Sequence, residues 1–524
     1  MVKMALTTSR VIKKECLIMA KFNLFAAIDI GSSRISMKIF QLKKNDSISV
    51  VENCESNLSI GKETYNVGKI SYEMTSEICR CLENFKRIMN EYGVNDYICY
   101  ATSAVREASN SEYIRDQILI RTGLKVGIAS NEEERFLHYK ALALNMKNFD
   151  DVIEEGALII EVSSGSLQVT SYEKSKLKFS QNLPLGSLRI IEIMSGVKNS
   201  TIVFSKLLKE YTANMLELYK NSFFTDPKYK NIILIGYQTD NIKSALKAEN
   251  DIVRSEQLEA LYKEINDIGF YDFGDKYNFS YEECRLMMAS LLLYRSFTDK
   301  FEKSIFMPDI DFTDGICVEY AEKNKFTHTR HIFTNDIFSS AMYYAGRYGI
   351  DREHVEKVMS YCESIFMALS KRFGLSKFDL VLLKIAAIYS ATGLYININD
   401  YNIYSYNITK ANKLLGLSNK DNEIISLVVL FQNGIFDTEE YRYISKSRKL
   451  LVAKLASILS LAIAIDYEHK QKVERIRVSL KNGEIIINAY TDRDITLEQW
   501  QFNEREEFFE DVFGIPARLK TKNL

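Results

Sequence analysis

One pattern occurs twice in this chain: an acidic residue near the end of an apolar strand, a turn of small residues, and a second strand. The first copy has Asp29, the turn Gly31-Ser32-Ser33 and alternating apolar residues from Ile35 onward. The second copy has Glu161 and the turn Ser163-Ser164-Gly165-Ser166. A pattern repeated far along one chain is typical of duplicated α/β halves. We therefore expect two α/β domains that face each other across a cleft.

The character of the sequence changes near residue 320, where strand patterns fade and helical periodicity dominates. Helical patterns cover residues 335–392, 420–433 and 447–467. Strands are predicted at 476–480 and 484–490, joined through the hairpin signal Asn482-Gly483, and a final short helix is predicted around Phe508, Phe509 and Phe513. We predict domains at 19–140, 141–320 and 321–470, followed by a small α+β segment at 471–524.

The start of the chain carries a separate signal. Lys14-Glu15 can be encoded by the purine-rich AAGGAG a few codons before Met19, which is the pattern of a ribosome-binding site. We therefore expect the native chain to begin at Met19, with residues 1–18 as a non-native segment. A genuine disordered extension is the alternative.

Charge and cysteine content disfavour several classes of protein. Lys and Arg number 68 against 69 Asp and Glu, so no global positive field exists to hold nucleic acid or an anionic membrane. The 8 Cys include no CxxC pair, which disfavours structural zinc and suits free thiols in a reducing compartment. The most apolar long stretch, 450–465, contains Lys454 and is shorter than the roughly 20 residues of a membrane span. We expect a cytoplasmic protein that binds neither DNA nor membrane.

The two small-residue turns have the chemistry of phosphate sites. Short Gly and Ser turns expose backbone N–H groups and hydroxyls, and their side chains are too small to block a phosphate. A carboxylate beside such a turn repels phosphate unless a divalent cation lies between them. Asp29 and Glu161 are therefore candidate Mg²⁺ ligands. The alternative is that each belongs to an ordinary solvated turn.

Two further segments carry candidate catalytic groups. Thr102 and Ser103 follow an apolar strand and offer hydroxyls, while Arg106 offers a bidentate fork for an anion. The alternative for this segment is helix capping with a surface arginine. Residues 132–134 are three consecutive glutamates, typical of a helix N-terminus, and one of them is also a candidate general base.

The order of these motifs resembles that of the exopolyphosphatase/guanosine pentaphosphate phosphohydrolase (Ppx/GppA) family. Residues 25–33 resemble its first phosphate loop, AxIDxGSNS, and residues 101–110 resemble its ATxAxREAxN segment. Residues 130–134 resemble SGxEEA, and residues 183–189 resemble LPLGxVRL. The resemblance implies two actin-like domains of the ribonuclease H-like (ASKHA) class. A mainly helical HD-like domain and a small C-terminal α+β tail would follow them.

The resemblance also implies roles for individual residues. Glu134 would be the base that activates water, and Arg106 would contact phosphate, with Mg²⁺ as the cofactor at Asp29 and Glu161. The implied phosphate-binding residues are Gly31, Ser32, Ser33, Thr102, Ser103, Ser163, Ser164, Gly165 and Ser166. The implied substrate is polyphosphate or a guanine nucleotide, and the implied assembly is a homodimer.

The chain departs from the family pattern in its second phosphate loop, which is normally DxGGGSTE. Glu161 replaces Asp, Ser163 and Ser164 replace two glycines, and Gln168 replaces the final Glu. Serine Cβ atoms restrict positive φ and crowd a close phosphate approach. In the SGxEEA segment, Asn131 replaces the usual Gly. The catalytic Glu and Arg remain, but the phosphate cradle around them is altered.

The HD-like half departs further from its pattern. The metal-binding His-Asp pair corresponds to Tyr389-Ser390, and the later HxHS element corresponds to residues 402–405, with Asn402 and Tyr404 in place of histidines. Tyr and Ser are poor metal ligands at neutral pH, and only His354 could match the first His of the pattern. We predict that this half binds no transition metal and serves as a packing and substrate-channel module. Elsewhere, His138 and His469 are expected to be ordinary surface or core histidines.

Three functions are compatible with these features. The first is a phosphohydrolase that releases terminal phosphate from polyphosphate or guanosine pentaphosphate. The second is a non-catalytic sensor or scaffold that binds polyphosphate or nucleotide, which the altered loops favour. The third is a sugar kinase-like transferase, which is disfavoured because residues 236–238, Gly-Tyr-Gln, make a poor glycine-rich adenosine turn.

Overall fold

A computed structural model describes residues 23–44, 47–194, 201–223, 229–248, 250–299, 301, 305–434, 438–481 and 483–524. The chain divides into two compact units, of which the first ends at Ile332 and the second begins at Phe333. The predicted segment 1–18, the predicted start at Met19 and the turn residue Asn482 lie outside the described residues.

The first unit alternates strands and helices. Its strands are β1 (Asn23–Ile30), β2 (Ile35–Lys43), β3 (Ser47–Ser56), β4 (Asp96–Ala101), β5 (Val126–Ile128), β6 (Ala157–Val162), β7 (Leu167–Glu173), β8 (Lys176–Leu183), β9 (Asn231–Gly236), β10 (Ile252–Val253) and β11 (Ile305–Phe306). Its helices are α1 (Ile60–Val67), α2 (Tyr72–Tyr92), α3 (Ser103–Glu107), α4 (Ser111–Thr122), α5 (Asn131–Asn145), α6 (Phe149–Glu154), α7 (Ser187–Ile193), α8 (Thr201–Phe223), α9 (Thr239–Leu246), α10 (Ser255–Tyr277), α11 (Tyr281–Thr298) and α12 (Phe312–Lys323).

The strands form two mixed sheets with matching topology. The first sheet has the order β3-β2-β1-β4-β5, and the second has the order β10-β11-β9-β6-β7-β8. In each sheet an antiparallel hairpin (β1 with β2, β6 with β7) continues into a third antiparallel strand. The first strand of each hairpin also pairs in parallel with a later strand, β4 or β9. The predicted duplication of α/β halves is therefore confirmed.

Alternation along β1 decides which side of the sheet carries its acidic residue. Ile28 and Ile30 pack into the hydrophobic core beneath α2 and α4. Phe25 and Ala27 pack into the core on the opposite side, together with residues of α5 and α12. Because side chains alternate with a period of two, Asp29 shares the face of Phe25 and Ala27. Its carboxyl is thus on the side of the sheet that α5 and α12 cover.

Helix α12 extends the first unit beyond the predicted boundary at residue 320. It packs against α5 and β1, and the rings of Phe25 and Tyr320 stack with centroids 3.9 Å apart. Gly315 permits this close packing, because a Cβ there would lie 2.2 Å from the carbonyl oxygen of Leu137. The first unit therefore continues to Ile332.

The second unit is mainly helical. Its helices are α13 (Phe333–Gly346), α14 (Arg352–Phe373), α15 (Lys377–Tyr389), α16 (Tyr401–Ala411), α17 (Asn419–Leu430), α18 (Glu439–Tyr443), α19 (Lys446–Ile465) and α20 (Thr496–Phe513), with a 3-10 turn at Thr392–Tyr395. Its strands are β12 (Arg475–Lys481), β13 (Glu484–Tyr490) and β14 (Ala517–Lys522).

The C-terminal segment differs from its prediction in the length of the last helix. Strands β12 and β13 pair antiparallel as predicted, and β14 adds to β13 in parallel. The prediction of a short final helix was wrong, because α20 has 18 residues. Polar residues before the aromatic cluster extend the helix, while Phe502, Phe509 and Phe513 form its buried face against α19. Aromatic clustering alone marks only the last turns of such a helix.

One segment of the second unit, Lys377–Tyr395, is long and apolar enough to cross a membrane by length and composition. More than half of this segment is buried inside the protein, as is common for a core helix. The stretch 450–465, which the sequence singled out as most apolar, lies in α19 and is buried along most of its length.

Candidate functional site

A cavity of about 280 Å³ lies in the first unit, where the ends of β1, β6 and β9 meet the N-termini of α5 and α12. The predicted site residues that line it are Asp29, Gly31, Ser32, Ser33, Thr102, Ser103, Glu134, Glu161, Ser163 and Ser164. Arg106, Gly165 and Ser166 are not part of this lining. Motifs from four separate parts of the chain therefore meet at one cavity.

Both candidate metal ligands are carboxylates with unpaired buried oxygens. Glu161 is 1% exposed, and neither of its carboxylate oxygens has a hydrogen-bond partner. Oδ1 of Asp29 is likewise buried without a partner. Burial, together with the nearby Glu134 carboxylate, raises the pKa of Asp29 to about 8. Such oxygens require either a proton or a cation, so the pair fits a divalent metal ion.

The candidate base is positioned by the start of helix α5. Ser130 and Glu133 form a capping box, in which the Glu133 N–H donates to Ser130 Oγ and the Ser130 N–H donates to the Glu133 carboxylate. Since successive helical residues point about 100° apart, Glu134 points elsewhere and lines the cavity. Burial raises the pKa of Glu134, and the Arg106 guanidinium opposes that rise. The run of three glutamates is thus both a helix N-terminus and the source of the candidate base.

Arg106 lies beside this base and is anchored by three acceptors. It donates to the Glu134 carboxylate at 3.3 Å, to the Ala129 carbonyl oxygen and to Oδ1 of Asn131. Its side chain is only 16% exposed, so it is not the surface arginine of the alternative interpretation. Asn131, which departs from the family's Gly, therefore helps to fix the guanidinium near Glu134.

The hydroxyls of the two turns approach each other across the cleft between the two halves of this unit. Ser33 Oγ of the first turn lies 2.7 Å from Ser164 Oγ of the second. Ser32 Oγ lies 2.8 Å from Tyr65 Oη and also 2.8 Å from Ser103 Oγ. The turns are close enough to contact one phosphate group together, although Ser33 and Ser164 satisfy each other in this arrangement.

Gly165 and Ser166 shape the second turn. A Cβ on Gly165 would lie 2.3 Å from Tyr65 Oη and 2.5 Å from Ser103 Oγ, so only glycine fits. Ser166 Oγ lies 3.1 Å from Ser163 Oγ inside the turn. These two residues therefore support the residues that line the cavity.

His138 lies in the cavity lining, in contrast to its predicted place as an ordinary core or surface histidine. Its Nδ1 lies 2.9 Å from Oε1 of Glu161. Burial alone would lower the pKa of His138, but the Glu161 carboxylate outweighs burial and raises it to about 9. The sequence contained one indication of this position. His138 comes four residues after Glu134, and residues four apart share one face of a helix.

Two further cations line the cavity: Lys38, and Arg34, which stands in the first phosphate loop where the family commonly has Ser. Lys38 Nζ lies 2.8 Å from Asp311 Oδ2 and 2.9 Å from Asp314 Oδ2. Arg34 places its guanidinium 4.9 Å from the ring centroid of Tyr237. Both contacts join residues that are distant in sequence, so no local pattern could have predicted them.

The carboxylates of the cavity suit a cation that is shared with a phosphate. Among the residues that the structure describes, no three His, Cys, Asp or Glu side chains form a group able to hold an ion by themselves. Mg²⁺ usually keeps several waters and binds through one or two carboxylates together with substrate phosphates. Asp29 and Glu161 fit that mode.

In the second unit, the positions of the HD motif are occupied by a packed polar network. Tyr389 is fully buried, and the Ser390 carbonyl oxygen accepts from Ser405 Oγ at 3.0 Å and from Gln432 Nε2 at 3.1 Å. Asn402 donates to a backbone carbonyl of α17 at 2.9 Å. The side chains of Ser390 and Asn402 donate to backbone carbonyls, whereas the buried Tyr389 hydroxyl has no hydrogen-bond partner in the part of the chain that the structure describes.

His354 and His469 are also engaged by packing in this unit. Nδ1 of His354 lies 2.8 Å from Oδ2 of Asp466, and both residues are buried. The imidazole of His469 stacks on that of His354 with ring centroids 3.5 Å apart. Burial and the neighbouring His354 lower the pKa of His469. The contacts of this histidine pair are those of a structural core.

We expect the second unit to bind no stoichiometric iron, manganese or zinc, because Tyr389, Ser390, Asn402 and Tyr404 stand where the family resemblance predicts metal ligands. The measurement is metal analysis of protein purified without chelator. Any metal that is found should disappear in the double variant Asp29→Asn, Glu161→Gln. Stoichiometric metal that persists in that variant would contradict this expectation.

Two family models match the chain: the Ppx/GppA phosphatase family over residues 39–272, and Ppx/GppA phosphatase, domain III, over residues 339–507. The bifunctional 3-dehydroquinate synthase/phosphatase of Fusobacterium nucleatum is 25% identical over 259 residues, which are 46% of this chain and 37% of that protein. Exopolyphosphatase 1 of Mycobacterium bovis is 23% identical over 163 residues, which are 31% of this chain and 46% of that protein. The chain thus spans less than half the length of each of these relatives.

Among solved structures, an exopolyphosphatase from Cytophaga hutchinsonii is similar with a TM-score of 0.51 at 16% identity, over 58% of this chain and 98% of that chain. This likeness shows an actin-like α/β fold. The two family models together cover more than half of the chain, and they confirm the resemblance that the motifs predicted. The chain belongs to the Ppx/GppA phosphatase family.

Proposed function

We propose that this chain is a phosphohydrolase that releases terminal phosphate from inorganic polyphosphate or guanosine pentaphosphate. The observation that carries the proposal is the convergence of Glu134, Asp29 and Glu161 on one cavity lined by two hydroxyl-rich turns. The similarity to the exopolyphosphatase of Mycobacterium bovis supports the same class of substrate.

In this proposal the Glu134 carboxylate takes a proton from water as the water attacks the terminal phosphorus. Burial raises the pKa of Glu134, which strengthens it as a base. Arg106 and the backbone N–H groups of the turns would stabilise the charge that develops on the phosphoryl oxygens. The hydroxyls of Ser32 and Ser163 in the turns, and of Ser103 at the start of α3, would orient the phosphate chain.

The cofactor in the proposal is Mg²⁺, held through Asp29 and Glu161. Their unpaired buried oxygens fit a hard cation, as the site geometry indicates. When bound, the ion would neutralise phosphate charge that these carboxylates otherwise repel.

A non-catalytic sensor or scaffold that binds polyphosphate or nucleotide is the second candidate. The bond between Ser33 and Ser164 favours it, because each hydroxyl satisfies the other where a phosphate would otherwise bind. Arg106 is likewise occupied by protein acceptors. A binder would keep affinity for the anion without turning it over.

The two candidates are separated by measuring phosphate release from purified protein with polyphosphate and with guanosine pentaphosphate, each with and without Mg²⁺. We expect release that requires Mg²⁺ and is about 10²–10⁴-fold slower in a Glu134→Gln preparation made in parallel, which controls for contaminating phosphatases. Tight binding without release by the wild type would instead establish the sensor function.

The remaining features of the proposal concern assembly and location. We propose a cytoplasmic homodimer with an HD-like helical module in the second unit. Each cysteine that the structure describes is a free thiol, which suits a reducing compartment. Sedimentation of the full chain tests the dimer.

A further inference from the structure

His138 and Glu161 form an unusual pair at the cavity wall. Nδ1 of His138 and Oε1 of Glu161 are 2.9 Å apart, yet they do not form a hydrogen bond, because the two groups are not aligned for one. Both atoms are buried, and Oε2 of Glu161 also has no partner within the protein. Buried polar atoms are nearly always hydrogen-bonded, so an unaligned pair at this distance is either an ion pair or two ligands of one bound ion.

The distance between His138 Nδ1 and Glu161 Oε1 matches the distance between two ligand atoms bound to one metal ion. Metal–nitrogen and metal–oxygen bonds to small divalent ions are about 2.1 Å long, so two ligands at a right angle lie about 3 Å apart. Ligands of one ion point at the ion and not at each other, which also explains the missing alignment. Asp29 places a further buried, unpaired oxygen, Oδ1, in the wall of the same cavity.

We propose that His138 is a metal ligand, and that its Nδ1 and the Glu161 carboxylate together bind the cation of this site. The inference rests on the proposed function, since it concerns the ion that the phosphate site would hold. An imidazole ligand changes the expected metal, because nitrogen donors favour first-row transition ions whereas Mg²⁺ prefers oxygen. The site is therefore expected to bind Mn²⁺ more tightly than Mg²⁺.

The competing explanation is an imidazolium–carboxylate ion pair, in which His138 supplies the positive charge itself. That pair needs no metal and would leave the imidazole nitrogen away from any bound ion. The two explanations therefore differ in a property that can be measured directly: the presence of a histidine nitrogen in the coordination shell of Mn²⁺.

The experiment uses the full-length protein, labelled with ¹⁵N-histidine and loaded with Mn²⁺ alone and with Mn²⁺ plus inorganic phosphate. Electron spin echo modulation should show a ¹⁵N coupling in the wild type. In His138→Gln the coupling should disappear, and the Mn²⁺ affinity should fall by at least about 10-fold. His331→Gln is the matched control: its Nδ1 also faces a carboxylate, Asp150, at 3.1 Å, but it does not line the cavity. That variant should retain the wild-type coupling and affinity.

Absence of nitrogen coupling in wild-type protein that binds Mn²⁺ would overturn the proposal in favour of the ion pair, and so would full coupling in His138→Gln. If the variant fails to fold, the wild-type spectrum still decides whether a histidine coordinates Mn²⁺, and among the described residues His138 is the histidine that lines this cavity. Phosphate release measured on the same samples keeps the two proposals apart. Nitrogen coupling without phosphate release would support His138 as a ligand and contradict the phosphohydrolase function. Phosphate release without nitrogen coupling would support the phosphohydrolase function and contradict His138 as a ligand.

Discussion

Replacing Glu134 by Gln is expected to slow phosphate release by about 10²–10⁴-fold while leaving substrate affinity nearly unchanged. Gln keeps the shape of the side chain and can still hydrogen-bond a water molecule, but it cannot accept the proton. Glu134 lines the cavity that Asp29 and Glu161 also line, so its loss removes the proposed base without removing the candidate cation ligands. Steady-state phosphate release and calorimetric titration with polyphosphate measure the two effects separately.

Glu133→Gln is the matched control for this prediction. Glu133 is the neighbour of the base in sequence, but its carboxylate accepts the Ser130 N–H in the capping box. Gln also serves in a capping box, so the helix should be retained. We expect near wild-type activity from Glu133→Gln. An inactive Glu133→Gln beside an active Glu134→Gln would show that the other glutamate is the base.

The sheet framework could be predicted because its signals are local. Alternating apolar residues and small-residue turns depend only on neighbouring positions, and both hairpins were found at Asp29 and Glu161. The length of α20 was not predicted, because the residues before its aromatic cluster are mostly polar and give little hydrophobic periodicity. Tertiary packing against α19 stabilises a helix that periodicity alone does not indicate.

The cavity wall was predicted less completely than the hairpins. Lys38 pairs with Asp311 and Asp314, and Asp314 lies 276 positions after Lys38 in the sequence. A single sequence does not reveal a contact between residues so far apart along the chain. His138 is different, since its spacing from Glu134 was visible in the sequence. A lone histidine is usually a packing residue, and only the fold shows that β6 brings Glu161 to within 2.9 Å of it.

The serines of the second turn make a contact that the sequence did not predict. Their Cβ atoms were expected to crowd a phosphate by sterics alone. In the structure Ser164 also hydrogen-bonds Ser33 of the opposite turn. At Gly165 only a glycine fits, because Tyr65 and Ser103 leave no room for a Cβ.

Arg106→Ala is expected to lower kcat/KM by about 10²–10³-fold, and to weaken substrate binding as well as turnover. In the proposed mechanism the guanidinium pairs with phosphate in both the ground state and the transition state, unlike the proposed proton acceptor Glu134. Arg115→Ala is the control, because Arg115 pairs with the exposed Glu112 on α4, whereas Arg106 pairs with Glu134, which lines the cavity. The Arg115→Ala variant should behave as wild type.

Arg106→Ala has a second expected effect, which concerns the pH dependence of the reaction. Burial raises the pKa of Glu134, and Arg106 partly offsets this by favouring the charged carboxylate. Without Arg106 the pKa of Glu134 should rise further, so less of the base is ionised at a given pH. The acidic limb of the kcat profile should therefore move to higher pH in Arg106→Ala, and part of the lost rate should return in alkaline buffer. An unchanged acidic limb would show that Arg106 acts on phosphate alone and not through the Glu134 carboxylate that lies 3.3 Å from it.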